Sequence, residues 1–253
     1  MPGRPEELRE AVERYLGDLP LHPSLGTLAA PVRYALGGKR VRPVLCLAAG
    51  EAVGGNLARL MPAAAAVELV HSFSLVHDDL PALDDDAERR GQASVWAAFG
   101  EASAILAGDA LLVEALRLAL LCGAGVAKEL SEATLAMIGG QQQDLEGGHD
   151  LAELHRLKTG ALFSASVMCG LLAADLPAED HPPWRAFAAE LGLLFQVVDD
   201  ILDGDGYVST VGEAAARELA RQAAARAEAR LEELEADTSV LAEIVAGLAV
   251  RTA

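Results

Sequence analysis

The chain has 253 residues, a formal net charge of −18 and 52% hydrophobic residues. This acidic charge argues against nucleic acid or an anionic membrane surface as a partner. Three cysteines, Cys46, Cys122 and Cys169, have no metal-type spacing, so we expect reduced thiols in a cytoplasmic protein. The charged stretch 1–13 does not have the pattern of a signal peptide.

Apolar residues recur at helical spacing along most of the chain. The pattern predicts helices over 5–16, 27–36, 42–53, 61–76, 102–121, 127–145, 155–174, 184–202, 213–236 and 239–250. A polar loop is predicted over 79–92 and a linker over 177–183. No apolar run reads as a membrane span, and no linker is long enough to separate two domains. We therefore predict one all-α domain of ten or more helices over residues 1–253.

An acidic cluster follows the apolar run 61–76. Asp78 and Asp79 follow it after His77, and Asp84 lies five residues after Asp79. Carboxylates at the end of a buried helix cost stability unless something neutralises them. An acidic, solvated loop is the simpler explanation, and a cation site is the alternative that this position favours.

A second acidic cluster ends the helix predicted over 184–202. Asp199 and Asp203 are four residues apart, and Asp200 and Asp203 are three apart, so all three are expected to project from one side of the helix end. The helix dipole disfavours acids at a C-terminus, which makes a merely solvated helix end a weak explanation. Two such clusters together indicate one shared set of divalent cations. Ligands that are all oxygen point to magnesium.

Three basic segments accompany the acidic clusters. They are GGKRVRP at 37–43, RR at 89–90 and KTG at 158–160. Glycines before a helix N-terminus let backbone amides approach an anion, although an ordinary capped turn with surface arginines would look the same. In a chain this acidic, the three segments suggest an anion bridged by metal ions. A diphosphate meets both requirements.

Five ordered motifs resemble those of the trans-isoprenyl diphosphate synthases, also called polyprenyl synthetases. They lie at 37–43, 71–91, 139–145, 158–160 and 195–203. The resemblance implies an isoprenoid synthase type bundle of helices around a central active-site cavity. It also implies a homodimer that condenses isopentenyl diphosphate head-to-tail with dimethylallyl or geranyl diphosphate, using three magnesium ions per active site.

The resemblance also implies a role for each motif residue. The magnesium ligands would be Asp78, Asp79, Asp84, Asp199, Asp200 and Asp203. The diphosphate of isopentenyl diphosphate would be held by Lys39, Arg42, His71 and Arg90, and the allylic diphosphate would contact Arg89. The allylic side would be lined by Lys158, Thr159 and Gln196, with Gln141 and Asp144 as a polar pair between the clusters. The catalytic set would be Asp78, Asp79, Asp84, Lys158 and Asp199.

One residue bears on product length. Phe73 lies five residues before Asp78 on the same predicted helix, about 7 Å along its axis. An aromatic residue here resembles the pattern of synthases with short products, although a plain core phenylalanine would look the same. We predict a C15 product, with C10 and C20 as the alternatives, and Phe73 as the floor of the substrate-binding cavity.

The chain also departs from the family pattern. The family has a lysine-containing loop after the second acidic motif, whereas no Lys or Arg lies between Arg185 and Arg217. Two other functions therefore stay open. One is a class I terpene cyclase or diphosphate lyase, which would not need the second diphosphate grip. The other is a non-catalytic partner subunit of a prenyl synthase, although such subunits commonly lose an acidic motif.

Overall fold

The computed structural model describes residues 4–250. Thirteen α-helices make up most of the regular structure in this part of the chain. In chain order they are α1 (Pro5–Asp18), α2 (Ala29–Tyr34), α3 (Val41–Ala52), α4 (Leu57–Asp78), α5 (Val95–Phe99), α6 (Glu101–Leu121), α7 (Ala124–Glu146), α8 (Leu151–His155), α9 (Ala161–Ala173), α10 (His181–Asp203), α11 (Tyr207–Val211), α12 (Glu213–Glu232) and α13 (Ser239–Val250). The predicted all-α class is confirmed.

The remaining regular structure is short. Two 3₁₀ helices cover Pro23–Leu28 and Ala178–Asp180, and a π-helical turn covers Arg156–Gly160. Strands β1 (Glu88–Arg89) and β2 (Gln92–Ala93) form a small antiparallel pair within the predicted loop.

Helix α4 is the centre of the fold. It begins at the N-cap Asn56, whose side-chain oxygen accepts a hydrogen bond from Ala58 N at 3.0 Å. It is apolar on most sides, which is typical of a helix surrounded by others, and it packs against α3, α6 and α9. The alanines that it carries at 63–66 are fully buried and let these neighbours approach closely. The two acidic clusters follow from this layout, because α4 ends at the first and α10 at the second.

The length and composition of α4 would also suit a membrane span. The structure explains its apolar character differently, since 72% of its most apolar window is buried inside the fold. No second helix within residues 4–250 has this length and composition.

Helix α12 packs along α10. Its buried positions are Ala216, Ala220, Ala223, Ala224, Ala227 and Leu231. They recur at the three- and four-residue spacing of one helix face. The helix predicted over 213–236 therefore has one solvated side and one side of small residues that covers α10.

Several predicted boundaries differ from the structure. The helix predicted over 155–174 is divided by the π-helical turn, whose backbone approaches α7 so closely that a Cβ at Gly140 would lie 2.6 Å from Lys158 N. The helix predicted over 27–36 is a 3₁₀ turn followed by α2, with a kink at Gly26. Helix α10 begins inside the predicted linker, because prolines are tolerated in a first turn. The short helices α5 and α11 were not predicted, since five residues carry too little periodicity.

Candidate active site

Two adjoining cavities lie among α3, α4, α7 and α10. The cationic cavity, of about 830 Å³, is lined by residues 38–42, which run from the loop into the first turn of α3, and by Asp199 and Asp203. The apolar cavity, of about 330 Å³, reaches from Asp78 along α4 and α7. The two share the lining residues Arg42, His71, Leu75 and Thr159. Both acidic clusters therefore open onto one region of the molecule, as a shared cation site requires.

Arg42 lies in the first turn of α3, between the two cavities. Its guanidinium carbon is 4.5 Å from the ring centre of Phe163 and 5.7 Å from that of Phe195, which are cation–π distances. Burial lowers the pKa of Arg42 to about 10, so the group stays charged at neutral pH. Its buried Nε has no hydrogen-bond partner within residues 4–250. A charged, buried guanidinium with a spare donor indicates an anion site.

His71 faces two guanidinium groups. Its Nε2 is 3.4 Å from Nη1 of Arg42 and 3.4 Å from Nη2 of Arg90. Burial, reinforced by these arginines, lowers the pKa of His71 well below its ordinary value, so the ring is neutral and its Nε2 lone pair is one acceptor that the two guanidinium groups share. Nη1 of Arg90 also donates to the carbonyl of Gly37. A Cβ at Gly38 would lie 2.6 Å from Nη1 of Arg90, so a glycine is needed for this approach.

Arg40 has a structural role beside this grip. Its Nη1 donates to Glu68 at 2.7 Å, its Nε to Glu13 at 3.0 Å, and its Nη2 to the Leu36 carbonyl at 2.6 Å. The side chains of Arg40 and Glu68 are 3% and 2% exposed. The Arg40 backbone is left-handed, with φ 57°, a conformation that costs a residue with a side chain about 1 kcal/mol or more. The ion network compensates this strain and holds the loop that presents Lys39.

The sequence reasoning missed both acids of this network. Glu68 had a usable signal, because it is the one acidic residue in the apolar run 61–76 and a buried acid needs a partner. Glu13 had none, since it is one of several glutamates in the amphipathic pattern of α1.

Asp78 is the member of the first cluster that lines the apolar cavity. Burial raises the pKa of Asp78 to about 6, with the charges of Asp84 and Asp79 adding to the rise and that of Lys158 opposing it. The Asp84 N–H donates to the Asp78 carbonyl at 2.9 Å, which returns Asp84 to the vicinity of Asp78. Asp78 and Asp84 therefore lie close together, and ionisation of the more buried Asp78 costs energy.

Asp79 points away from both cavities and towards Arg89. It is 2% exposed and accepts from Nε and Nη2 of Arg89, the former at 2.8 Å. Arg89 also pairs with Asp86 at 2.9 Å. Burial raises the pKa of Asp79, while its bond to Arg89 opposes the rise. Asp79 lines neither the cationic nor the apolar cavity, although its partner Arg89 lines the cationic one.

The expectation that all three aspartates of the second cluster project from one side is wrong for Asp200. Asp199 and Asp203 line the cationic cavity, whereas the Asp200 carboxylate accepts from Gln196 Nε2 at 2.6 Å and from Tyr207 N at 2.8 Å. The physical reason is the helical rotation of about 100° between consecutive residues. Asp200 thereby fastens the start of α11 to α10.

Asp199 resembles Asp78 in its electrostatics. Burial raises the pKa of Asp199 and the charge of Asp203 raises it further, while Lys39 and Arg42 oppose the rise. Each acidic cluster therefore presents one partly desolvated carboxylate with a second acid near it.

The π-helical turn places Lys158 and Thr159 at the cavities. Lys158 lines the apolar cavity and pairs with Asp144 at 2.5 Å, and Thr159 lines both cavities. Gln196 differs from its prediction. It is bonded to Asp200 and lines a separate cavity on the far side of α10, because it lies one helical turn from Asp200 on the same face. Gln141 lines the apolar cavity, and both of its buried amide atoms lack partners within residues 4–250. The sequence predicts it only as one of a polar pair with Asp144, which pairs with Lys158 instead.

The apolar cavity has Phe73 in its wall, one helical turn from His77. The other apolar wall residues are Leu75, Leu83, Met137, Ile138, Leu145 and Leu162. A flexible hydrocarbon fits such a lining, while the polar end with Asp78, Lys158 and Arg42 does not suit one.

The residues present fit magnesium only together with an anionic ligand. Within residues 4–250, no group of three His, Cys, Asp or Glu side chains is close enough to hold an ion alone. The donors are all carboxylates, and the cationic groups of Arg42, Arg90 and Lys39 lie across the same region. Magnesium is usually bound by one or two carboxylates plus substrate phosphates, which matches this arrangement.

The comparisons with known proteins agree with this geometry. The sequence model of the polyprenyl synthetase family matches residues 26–235. The chain belongs to the polyprenyl synthetase family. The resemblance inferred from the five motifs is thereby confirmed.

Two curated relatives and one solved structure illustrate the relationship. The farnesyl diphosphate synthase of Escherichia coli (strain K12) is 40% identical over 228 residues, covering 82% of this chain and 76% of the relative. The geranylgeranyl diphosphate synthase of Cyanophora paradoxa is 40% identical over 212 residues, covering 76% of this chain and 71% of the relative. The crystal structure of a geranyltransferase from Legionella pneumophila has a TM-score of 0.88 at 30% identity, covering 98% and 96% of the two chains.

The raised pKa of Asp78 predicts a stability gain on its neutralisation. Asp78→Asn should stabilise the metal-free protein at pH 7.5 by about 1–2 kcal/mol, because the folded state then no longer holds a desolvated charge. The sign follows from a folded-state pKa near 6 above an unfolded value near 4. The gain in the free energy of unfolding of the variant over wild type should be full above pH 7 and disappear below about pH 4.

Denaturant unfolding in the presence of a chelator measures this effect. Asp18→Asn, an exposed aspartate at the end of α1, is the matched control and should leave stability unchanged. A loss of stability in Asp78→Asn at pH 7.5 would show that the Asp78 charge is compensated within the protein.

Proposed function

We propose that this protein condenses isopentenyl diphosphate head-to-tail with an allylic diphosphate to give a short-chain isoprenyl diphosphate. The observation that carries the proposal is the pair of adjoining cavities. One is lined by the cations Lys39, Arg42 and Arg90, and the other runs from Asp78 into an apolar wall. A diphosphate with a hydrocarbon tail requires both kinds of surface. The names of the relatives, farnesyl and geranylgeranyl diphosphate synthase, support the same substrate class.

Asp78, Asp84, Asp199 and Asp203 would hold the magnesium ions, three per active site when substrate is bound. Bound magnesium would neutralise the negative charge of the allylic diphosphate. Asp79 and Asp200 contribute indirectly, through Arg89 and Tyr207, with which they are already bonded.

The grip on the second diphosphate uses the residues of the cationic cavity. Arg42 supplies its unpartnered Nε, Arg90 and Lys39 supply further positive charge, and neutral His71 orients the two guanidinium groups. Lys158 and Thr159 lie where the two substrates meet, at the border of the apolar cavity. Fixing both diphosphates in this way brings the two reacting carbons together without a covalent enzyme intermediate.

The chemistry needs no nucleophilic side chain. The allylic C–O bond breaks, and the diphosphate leaves with the electron pair. The π electrons of isopentenyl diphosphate form the new C–C bond to the allylic cation. Loss of a proton to the released diphosphate then restores a double bond. The walls around Phe73 and Leu162 exclude the water that would otherwise capture the cation.

Phe73 is proposed as the floor of the apolar cavity, with C15 as the main product and C10 and C20 as alternatives. Its ring is in the wall of the cavity, one turn below the end of α4 that carries Asp78. A growing tail anchored near Asp78 meets this ring.

A homodimer is proposed through α6. This helix exposes apolar side chains at a seven-residue spacing, with Leu106, Val113 and Leu120 exposed by 54%, 65% and 62%. Leu121 of α6 and Leu135 of α7 extend the same apolar character. A stripe at heptad spacing is the pattern by which two helices pack together, and an unpaired apolar surface of this kind is typical of an interface. A second copy of the chain presents the same stripe.

The two competing functions have less support. A lyase acting on one diphosphate has no use for the grip formed by Arg42, His71 and Arg90. A non-catalytic partner subunit has no use for both acidic clusters, and both are present. We place the enzyme in the cytoplasm, where its three cysteines stay reduced, since none forms a disulfide.

An assay with three allylic starters tests the function. The purified protein is incubated with magnesium, isopentenyl diphosphate and dimethylallyl, geranyl or farnesyl diphosphate, and the products are sized by chromatography. We expect isoprenyl diphosphates longer than the starter. Hydrocarbon or alcohol release from farnesyl diphosphate alone would instead establish a lyase, and activity only with an added second subunit would establish a partner subunit.

Asp199→Asn should lower kcat by at least about 100-fold, because removal of one charge that binds a catalytic metal typically costs several kcal/mol. Steady-state rates at saturating magnesium provide the measurement. Asp18→Asn carries the same chemical change far from the cavities and should keep the wild-type rate. Equal rates for wild type and Asp199→Asn would remove Asp199 from the metal site.

Phe73→Ala should lengthen the product by at least one C5 unit, because it removes the ring from the cavity floor. The ratio of C20 to C15 in the product mixture is the readout. Phe187→Ala removes a buried ring of α10 that lines neither cavity, so its product ratio should match wild type. An unchanged ratio in Phe73→Ala would assign the floor to other residues.

Val113→Glu should convert the proposed dimer to a monomer by placing a charge in the apolar stripe. Sedimentation equilibrium should give twice the 26.3 kDa chain mass for wild type and the single mass for the variant. Val211→Glu, at an exposed valine of α11, is the control and should remain dimeric. A wild-type protein that sediments as a monomer would contradict the dimer.

A further inference from the structure

We propose that His77 and Gly108 determine product length together with Phe73. The His77 imidazole forms a side wall of the apolar cavity, and Gly108 of α6 sets how far that wall projects into the cavity. This inference rests on the proposed condensation, because it identifies residues that limit the size of its product.

His77 and Phe73 form one continuous wall. They are four residues apart on α4, so they share a helix face, and both line the apolar cavity. Their ring centres are 5.1 Å apart with planes at 73°, an edge-to-face contact. His77 is about 6 Å nearer than Phe73 to the end of α4 that carries Asp78. A hydrocarbon tail anchored near Asp78 therefore passes the imidazole before it meets the phenyl ring.

The imidazole is held in place from the side of α6. Its Nε2 is 3.0 Å from the carbonyl oxygen of Ile105, so Nε2–H donates to that oxygen. A carbonyl oxygen has a second lone pair, so this bond is compatible with the helical bond of the same group. Contact with Phe73 on one side and with α6 on the other fixes the ring in one orientation.

Gly108 makes this position possible. A Cβ on residue 108 would overlap Nε2 and Cδ2 of the His77 ring and lie 3.0 Å from Cε1. Gly108 is buried in the packing of α6 against α4, so a methyl group there has no free space. The ring would have to move away from α6, and the apolar cavity is the open space that it lines. A side chain at position 108 would therefore reduce the volume of the apolar cavity, because it displaces the His77 ring into it.

The two single substitutions should act in opposite directions. Gly108→Ala pushes the imidazole into the cavity, so we expect the ratio of C15 to C10 product to fall by about tenfold or more, the discrimination typical of one methylene-sized change in an apolar pocket. His77→Ala removes the wall, so the ratio of C20 to C15 product should rise by a similar factor. A ratio of products is insensitive to the fraction of folded enzyme.

The double variant Gly108→Ala/His77→Ala separates this mechanism from a general effect on helix packing. Removing the imidazole leaves the new methyl group nothing to displace, so the double variant should lose the shortening and resemble His77→Ala. Gly17→Ala, a helical glycine with open space around it, is the control and should keep the wild-type ratio. His77→Ala carries the test alone if Gly108→Ala does not fold.

The outcomes distinguish the inference from the function on which it rests. A wild-type protein without any condensation product contradicts the proposed function. An active wild type whose ratio is unchanged in His77→Ala contradicts the inference alone. A double variant that still shows the shortening of Gly108→Ala also contradicts it, because the methyl group would then act through the backbone rather than through the ring.

Discussion

The buried ion pair between Arg40 and Glu68 is the contact on which the cationic cavity depends. Glu68 comes from the central helix α4, and Arg40 joins the loop that carries Lys39 to the first turn of α3, which carries Arg42. Glu68 also supplies negative charge to Arg42 and Arg90, to which Asp199 and Asp79 respectively add. Loss of one partner of such a pair typically costs about 3–5 kcal/mol, since the other remains charged and buried. The grip is therefore assembled before any anion binds.

The aspartates that line the two cavities, unlike Arg40, are not neutralised by ion-pair partners within residues 4–250. Asp78 and Asp199 are partly desolvated and have a further acid nearby, and no basic side chain within the described residues pairs directly with either. Asp79 and Asp200, their sequence neighbours, are bonded within the protein instead. The site thus has cations that are prepared for an anion and carboxylates that are incompletely neutralised. Metal ions and diphosphates together satisfy both, which explains why substrate and metal would bind as a unit.

Particular residues show how far the sequence could lead. The sequence predicts that the segments 37–43, 78–84 and 199–203 form one site, and the structure brings them to adjoining cavities. Asp200 and Gln196 were assigned to the cavity by their motif, but they bond to each other on another face of α10. The sequence alone does not identify the roles of Glu68 and Gly108, because the residue that explains each of them, Arg40 or His77, belongs to a distant segment of the chain.

By itself, the sequence determined the helical class, the order of the motifs and the family, since apolar periodicity and motif spacing are properties of short stretches of chain. Only the tertiary structure decided which charged groups pair with one another and which remain free to bind a ligand. The physical reason is that the groups within hydrogen-bond distance of a carboxylate or guanidinium determine whether it can still bind a ligand. In this protein those partners can be tens of residues apart in the chain, as Arg40 is from Glu68.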